Sequence, residues 1–140
     1  MPVLIFFIAL FTLTNQLHAN DHIVALTILA EARGEGEDGM AAVACVISQR
    51  ANERGMTPEA VCLQRKQFSA WNGKTVDDLA HLLDCSQAKY ALWLEKNINK
   101  LNRANIGNAN HYHANYIKAP YWARGQTPVA IIGRHLFYRL

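Results

Sequence analysis

The sequence predicts a single, mainly α-helical domain with a small C-terminal β element, an α+β class, and three observations carry that expectation. Apolar residues recur at helical spacing between Ile23 and Leu101, helix start and stop signals punctuate that stretch, and β-favouring residues crowd into NHYHANY and PVAIIGRHLFYRL near the end. The 140 residues are 51% apolar and 18% charged, which excludes a disordered chain, and no period typical of a repeat array recurs. A polytopic membrane protein is excluded as well. The net charge of +3 is too small to argue for a nucleic-acid partner, but it suits an anionic substrate or an anionic cell envelope.

Taken in order, the first nineteen residues, MPVLIFFIALFTLTNQLHA, carry an apolar run from Val3 to Leu13 and then turn polar, with Ala19 placed as the last residue before a cleavage point. This reads as a secretory signal over residues 1–19, leaving a mature domain over 20–140. An eleven-residue helix reaches about 16 Å against a hydrocarbon core of roughly 30 Å, so no stable membrane span is expected once the signal is removed. The chain is therefore expected to be exported, to the periplasm, the envelope or beyond, and to act as a monomer.

Asn20 or Asp21 is placed to cap a helix running through IVALTILAEA, and Gly34 is suited to end it. A second helix starts near Glu37 and Asp38, whose charges favour a helix N-terminus, and runs to about Arg54 before Gly55. Its centre is apolar nearly all round, which places it in the middle of a core. Thr57, Pro58 and Glu59 open a short helix reaching Leu63, and QFSAWNGK is a loop. Thr75 with Asp77 and Asp78 opens another short helix. Ser86 opens a longer one, in which Tyr90, Trp93, Leu94, Asn97, Ile98 and Leu101 form a stripe expected to be core, Trp93 included. Asn102 to Asn110 is rich in Asn and Gly and reads as irregular, and the terminal segments read as a small hairpin or sheet.

Export bears on the cysteines. Cys45 lies in the small-residue run MAAVACVI and reads as a buried thiol, which leaves Cys62 and Cys85 as a candidate disulfide, with three reduced core thiols as the alternative.

The densest polar cluster is EARGEGEDG, Glu31 to Gly39. By helical spacing Glu31 shares a stripe with Val24, Thr27 and Ile28, at the end of a buried helix. Partial burial and the negative end of the helix dipole both raise its pKa, and a carboxylic acid kept protonated is what general-acid cleavage of a glycosidic bond requires. The bland alternative is an ion pair with Arg33 or Arg50. Glu35 is a candidate second carboxylate, although Gly34 and Gly36 interrupt the helix that would align it with Glu31. His111 and His113 alternate on one predicted strand with His135 on the next, a set that could hold zinc. Tyr112, Tyr116, Tyr121, Trp122 and Trp71 offer flat faces that could stack on sugar rings.

Together these residues resemble the SleB/CwlJ-type cell-wall hydrolases, peptidoglycan-degrading enzymes that include spore-cortex lytic enzymes. The similarity runs from about Ile23 onward through EARGE (Glu31–Glu35), Gly39 and AAVACVISQR, then Gln67, Phe68 and Ser69, then Tyr112, Asn115, Trp122 and IGRHLFY with Gly133, His135 and Phe137. The chain has Gln49 where the family usually has Asn, Gly36 for Pro, His113 for a tyrosine and Tyr116 for a proline. The resemblance implies a lysozyme-like fold of the lytic-transglycosylase type. It also implies cleavage of the β-1,4 bond between N-acetylmuramic acid and N-acetylglucosamine in peptidoglycan glycan strands, with Glu31 as the acid. Gln67, Phe68, Ser69, Tyr112, Asn115, Trp122 and His135 are then the expected substrate contacts, with no cofactor and no metal. Three alternatives stand beside it: a hydrolysing muramidase using Glu35, a zinc amidase using His111, His113 and His135, and a non-catalytic wall-binding module.

Overall fold

Two helices buried against each other organise the molecule, whose computed structural model describes residues 19–140. The expected signal falls outside the described residues except for Ala19. Helix α1, Ile23–Ala32, is buried on almost every side, from Val24 through Leu29. No Asn or Asp side chain caps it. The carboxylate of Glu95 takes that role, accepting from the Ala25 amide at 3.1 Å and meeting His22 Nδ1 at 2.6 Å, so the helix start is fixed from a distant element.

A short 3-10 turn, Arg33–Glu35, follows, and Gly36 at φ +75° redirects the chain into α2, Gly36–Arg54. Glu37 and Asp38 occupy its first turn and Gly55 ends it at φ +61°, as expected. Its all-round apolarity has a simple origin. Met40, Val43, Ala44 and Ile47 face the core around α1, while Ala42, Cys45 and Val46 face a second cluster with Ile106, Ala109 and Phe137 beneath the sheet.

Helix α3, Pro58–Leu63, is capped by Thr57, whose hydroxyl accepts from the Ala60 amide at 3.1 Å. Helix α4, Val76–Leu79, opens with a Thr75–Asp78 capping box and continues as a 3-10 segment to Asp84. Helix α5, Ala88–Lys96, is shorter than expected and buries Ala88, Ala91 and Leu94. Trp93 is therefore not core: it is 53% exposed and stacks on Tyr90 with ring centres 5.9 Å apart. The Asn-rich stretch is also more ordered than expected, with a 3-10 turn at Arg103–Ile106 that buries Ile106.

Strands β1 (His111–Ala114), β2 (Ala130–Ile132) and β3 (His135–Tyr138) form an antiparallel sheet in the order β1-β3-β2. Register pairs His111 with Tyr138 and Ala114 with His135 across β1 and β3. Among the described residues no helix is long and apolar enough to cross a membrane.

The expected Cys62–Cys85 disulfide is not formed: Cys45, Cys62 and Cys85 are all free thiols. Cys62 is wholly buried in the α1–α3 core beside the Thr27 hydroxyl, and burial pushes its thiol up to about 12. Its sulfur fills core space as a small hydrophobe, the role the sequence had suggested for Cys45.

Candidate active site

The end of α1 and the face of β1 are the two sides of a cleft of about 740 Å³, with the loops after α3 and β1 completing its walls. Glu31, in the last turn of α1, is the sole carboxylate among the residues lining it. Helical spacing from Val24 and Ile28 brings Glu31 to the core side, while its head reaches the cleft.

Tyr112, on β1, donates its hydroxyl to Glu31 Oε2 at 2.9 Å. The other oxygen, Oε1, is buried without a hydrogen-bond partner. Burial raises the pKa of Glu31, and the Tyr112 hydroxyl, the Ala70 amide and the charge of Arg50 each pull part of that back. Tyr112 itself is pushed well above its ordinary value by burial and by the neighbouring carboxylate, so it remains a donor at any working pH.

Arg50 is the residue that sequence reasoning placed only as a bland partner. It is 7% exposed, donates Nε to the Asn110 carbonyl at 2.7 Å and lies 5.1 Å over the Phe68 ring. Its Nη1 is buried without a partner, so a cation and a carboxyl oxygen are both left unsatisfied in one cleft. A signal was present: Arg50 falls on the same face of α2 as the buried Val43 and Ile47, and a charge on a buried stripe must be compensated from another element. Lys66, also on the wall, had no such signal.

Of the expected contacts, Gln67, Phe68, Ser69, Tyr112, Trp122 and His135 all line the cleft, as do Tyr116 and Tyr121. Asn115 does not; its amide donates to the Arg134 carbonyl at 2.7 Å. Trp71 is turned inward, with its indole N–H donating to Thr27 Oγ1 at 2.9 Å. His135 packs 5.1 Å from Tyr112, and burial lowers its pKa.

Glu35 is not brought to the cleft either. Its carboxylate accepts from the Arg134 amide at 3.1 Å and from Arg134 Nε at 2.9 Å, with Nη2 at 2.8 Å. These contacts, the Arg134 amide first, hold its pKa below the usual carboxylate range. Two glycines make room for it: a Cβ on Gly39 would lie 2.5 Å from Glu35 Cβ, and one on Gly133 would lie 2.7 Å from Glu35 Oε2.

The three histidines do not converge. His113 uses both ring nitrogens, on the Ala114 carbonyl at 2.8 Å and the Tyr138 hydroxyl at 3.0 Å, and His111 is turned to Asn110 Oδ1 at 2.9 Å. Among the described residues no group of three or more His, Cys, Asp or Glu side chains is arranged to hold a metal ion.

Comparison with known proteins agrees with this architecture. The crystal structure of the catalytic domain of the Bacillus cereus SleB protein is similar, with a TM-score of 0.66 and 26% identity over 90% of this chain and 91% of that one. The likeness matches the mainly helical, lysozyme-like class expected from the sequence. No curated protein sequence matches the chain. The family model described as Cell Wall Hydrolase matches residues 34–138, from just after Glu31 through the last strand, and the chain belongs to that family.

Proposed function

We propose that the protein is an exported peptidoglycan glycosidase of the lytic-transglycosylase type, cleaving the β-1,4 bond between N-acetylmuramic acid and N-acetylglucosamine, with Glu31 as its acid and base. One observation carries this reading. Glu31 is the single carboxylate on the cleft wall, and it is held in the protonated direction by burial with one oxygen left free.

A neutral Glu31 donates its proton to the glycosidic oxygen as the C1–O bond breaks, and the N-acetylglucosamine end leaves as an alcohol. Positive charge is left at C1 of the muramic acid. Glu31, now a carboxylate, is stabilised by the Tyr112 hydroxyl and the Arg50 charge, which act more strongly on the anion than on the acid. That carboxylate takes the proton of the sugar's own 6-hydroxyl as its oxygen bonds to C1, giving a 1,6-anhydro end and restoring the acid. The attacking group is already attached to the sugar, so no second protein carboxylate is needed to activate water.

The muramidase alternative required Glu35 as that second group, and it loses support because Glu35 does not line the cleft and its carboxylate is engaged by Arg134, which lowers its basicity. The zinc reading loses support because His113 has no free nitrogen. Product analysis tests the proposal: purified protein incubated with sacculi should release anhydro-muropeptides, and Glu31→Gln should abolish release. Reducing muramic ends alone would establish hydrolysis, and intact sacculi that are bound but undigested would establish a binding module.

A further inference from the structure

The second glutamate of EARGE holds no place in that chemistry, yet it is built in with care, between two glycines and against three atoms of Arg134. Arg134 in turn lies 5.2 Å beneath the ring of Tyr116, on the loop that follows β1. The same turn is tied to that loop a second time, since the Arg134 carbonyl accepts from the Asn115 amide at 2.7 Å. Tyr116 therefore has one ring face covered by a guanidinium that is itself fixed, and it remains 67% exposed on the cleft wall.

An exposed aromatic with one face braced and the other open is a preorganised surface. Tyr has few rotatable bonds, and bracing removes part of the ordering cost that a ligand would otherwise meet. The partner such a surface takes at the rim of a glycan cleft is the apolar C–H face of a pyranose ring, with the phenol oxygen left at the edge to meet ring hydroxyls. We infer that Tyr116 is a sugar-stacking platform at the mouth of the cleft, and that Glu35 and Arg134 are positioning residues for it. The inference rests on the glycan-cleaving reading for the identity of the ligand and goes beyond it in assigning this subsite and the role of Glu35.

The test measures binding and turnover separately, using glycan strands stripped of their stem peptides. In a Glu31→Gln background, which binds without cleaving, titration followed by calorimetry gives the affinity. Tyr116→Ala should weaken binding about fivefold, within the range aromatic contacts supply, while Tyr116→Phe stays within twofold of the parent. Arg134→Gln and Glu35→Gln should each weaken it, and neither should add to Tyr116→Ala when combined with it, because both act through the ring. With Glu31 restored, Glu35→Gln should raise KM with kcat reduced less than twofold and with the pH profile of kcat kept in place. Unaltered affinity in Tyr116→Ala, additive losses in the double variants, or loss of kcat and of a pH limb in Glu35→Gln would each overturn the proposal. If the enzyme with Glu31 fails to cut strands that the Glu31→Gln protein binds through Tyr116, the cleavage reading fails and the platform stands.

Discussion

Replacing Gly39 with alanine sets two effects of opposite sign against each other. Gly39 lies in the first turn of α2, where Ala is intrinsically better than Gly by about 1 kcal/mol. The new methyl, however, would lie 2.5 Å from Glu35 Cβ, because Gly36 at φ +75° folds Glu35 back over the helix start. Relieving that overlap costs about 1–3 kcal/mol. Moving Glu35 also loosens its bond to the Arg134 amide, worth about 1 kcal/mol net. The Arg134 side chain is 59% exposed although that of Glu35 is 7% exposed, so solvent screens the ion pair in part and its loosening adds modestly to the loss. Steric overlap wins, and Gly39→Ala should lose about 1–3 kcal/mol, the propensity gain subtracted. Urea unfolding followed by far-UV circular dichroism should show the midpoint fall by roughly 1 M at an ordinary slope. Gly34→Ala is the control: nothing lies within 4 Å of its Cβ position, so its midpoint should hold or rise. A Gly39→Ala protein as stable as the parent would refute the claim that Glu35 is clamped against this glycine.

Glu31→Gln should be more stable than the parent at neutral pH. Burial raises the folded pKa of Glu31, so the stability it contributes is complete below the ordinary carboxylate value and is lost as pH rises through the raised one; thermal melts at acid and neutral pH should show the variant's advantage shrink on acidification, and an advantage that grows would contradict the sign. Tyr112→Phe removes a bond that lowers the Glu31 pKa, so the alkaline limb of the rate profile should move to higher pH, and an unmoved or lowered limb would count against Glu31 as the acid. Chelation should leave glycan cleavage unaffected, whereas loss in chelator restored by zinc would bring back the three-histidine site. Intact mass after thiol labelling of denatured, non-reduced protein should report three free thiols, with Cys85 reacting first in the folded state because Cys62 is wholly buried.

Signals that act over a few residues were legible in the sequence. Thr57-Pro58-Glu59, the Thr75–Asp78 pair, the acidic first turn of α2 and Gly55 each sit where the structure starts or stops a helix. The burial of Glu31 was legible too, since it follows from the stripe of Val24 and Ile28. Contacts made across the chain were not. The partner of Glu35 is 99 residues away, and nothing local in EARGEGEDG distinguishes a clamp from a catalyst. His113 looked free for a metal until strand register placed Tyr138 beside it. Trp93 was misplaced because α5 turns Ala88, Ala91 and Leu94 to the core and leaves Trp93 on its outer side, and because the helix ends at Lys96, so that Ile98 is buried from a separate turn.

The central strand of the sheet is β3, residues 135–138, and β1 is paired with it in the register that sets Tyr112 opposite Phe137. Glu31 and Tyr112, 81 positions apart, therefore meet through an element that a ribosome delivers after both of them. Pairing with that strand, together with the Arg50 bond to the Asn110 carbonyl, holds the β1 wall that encloses the carboxyl, and an unenclosed glutamate titrates as an ordinary one. Long-range closure of this kind is slow relative to helix formation. The raised pKa of Glu31 is thus a property of contacts made across the chain: helices formed without the sheet would carry an ordinary acid at this position.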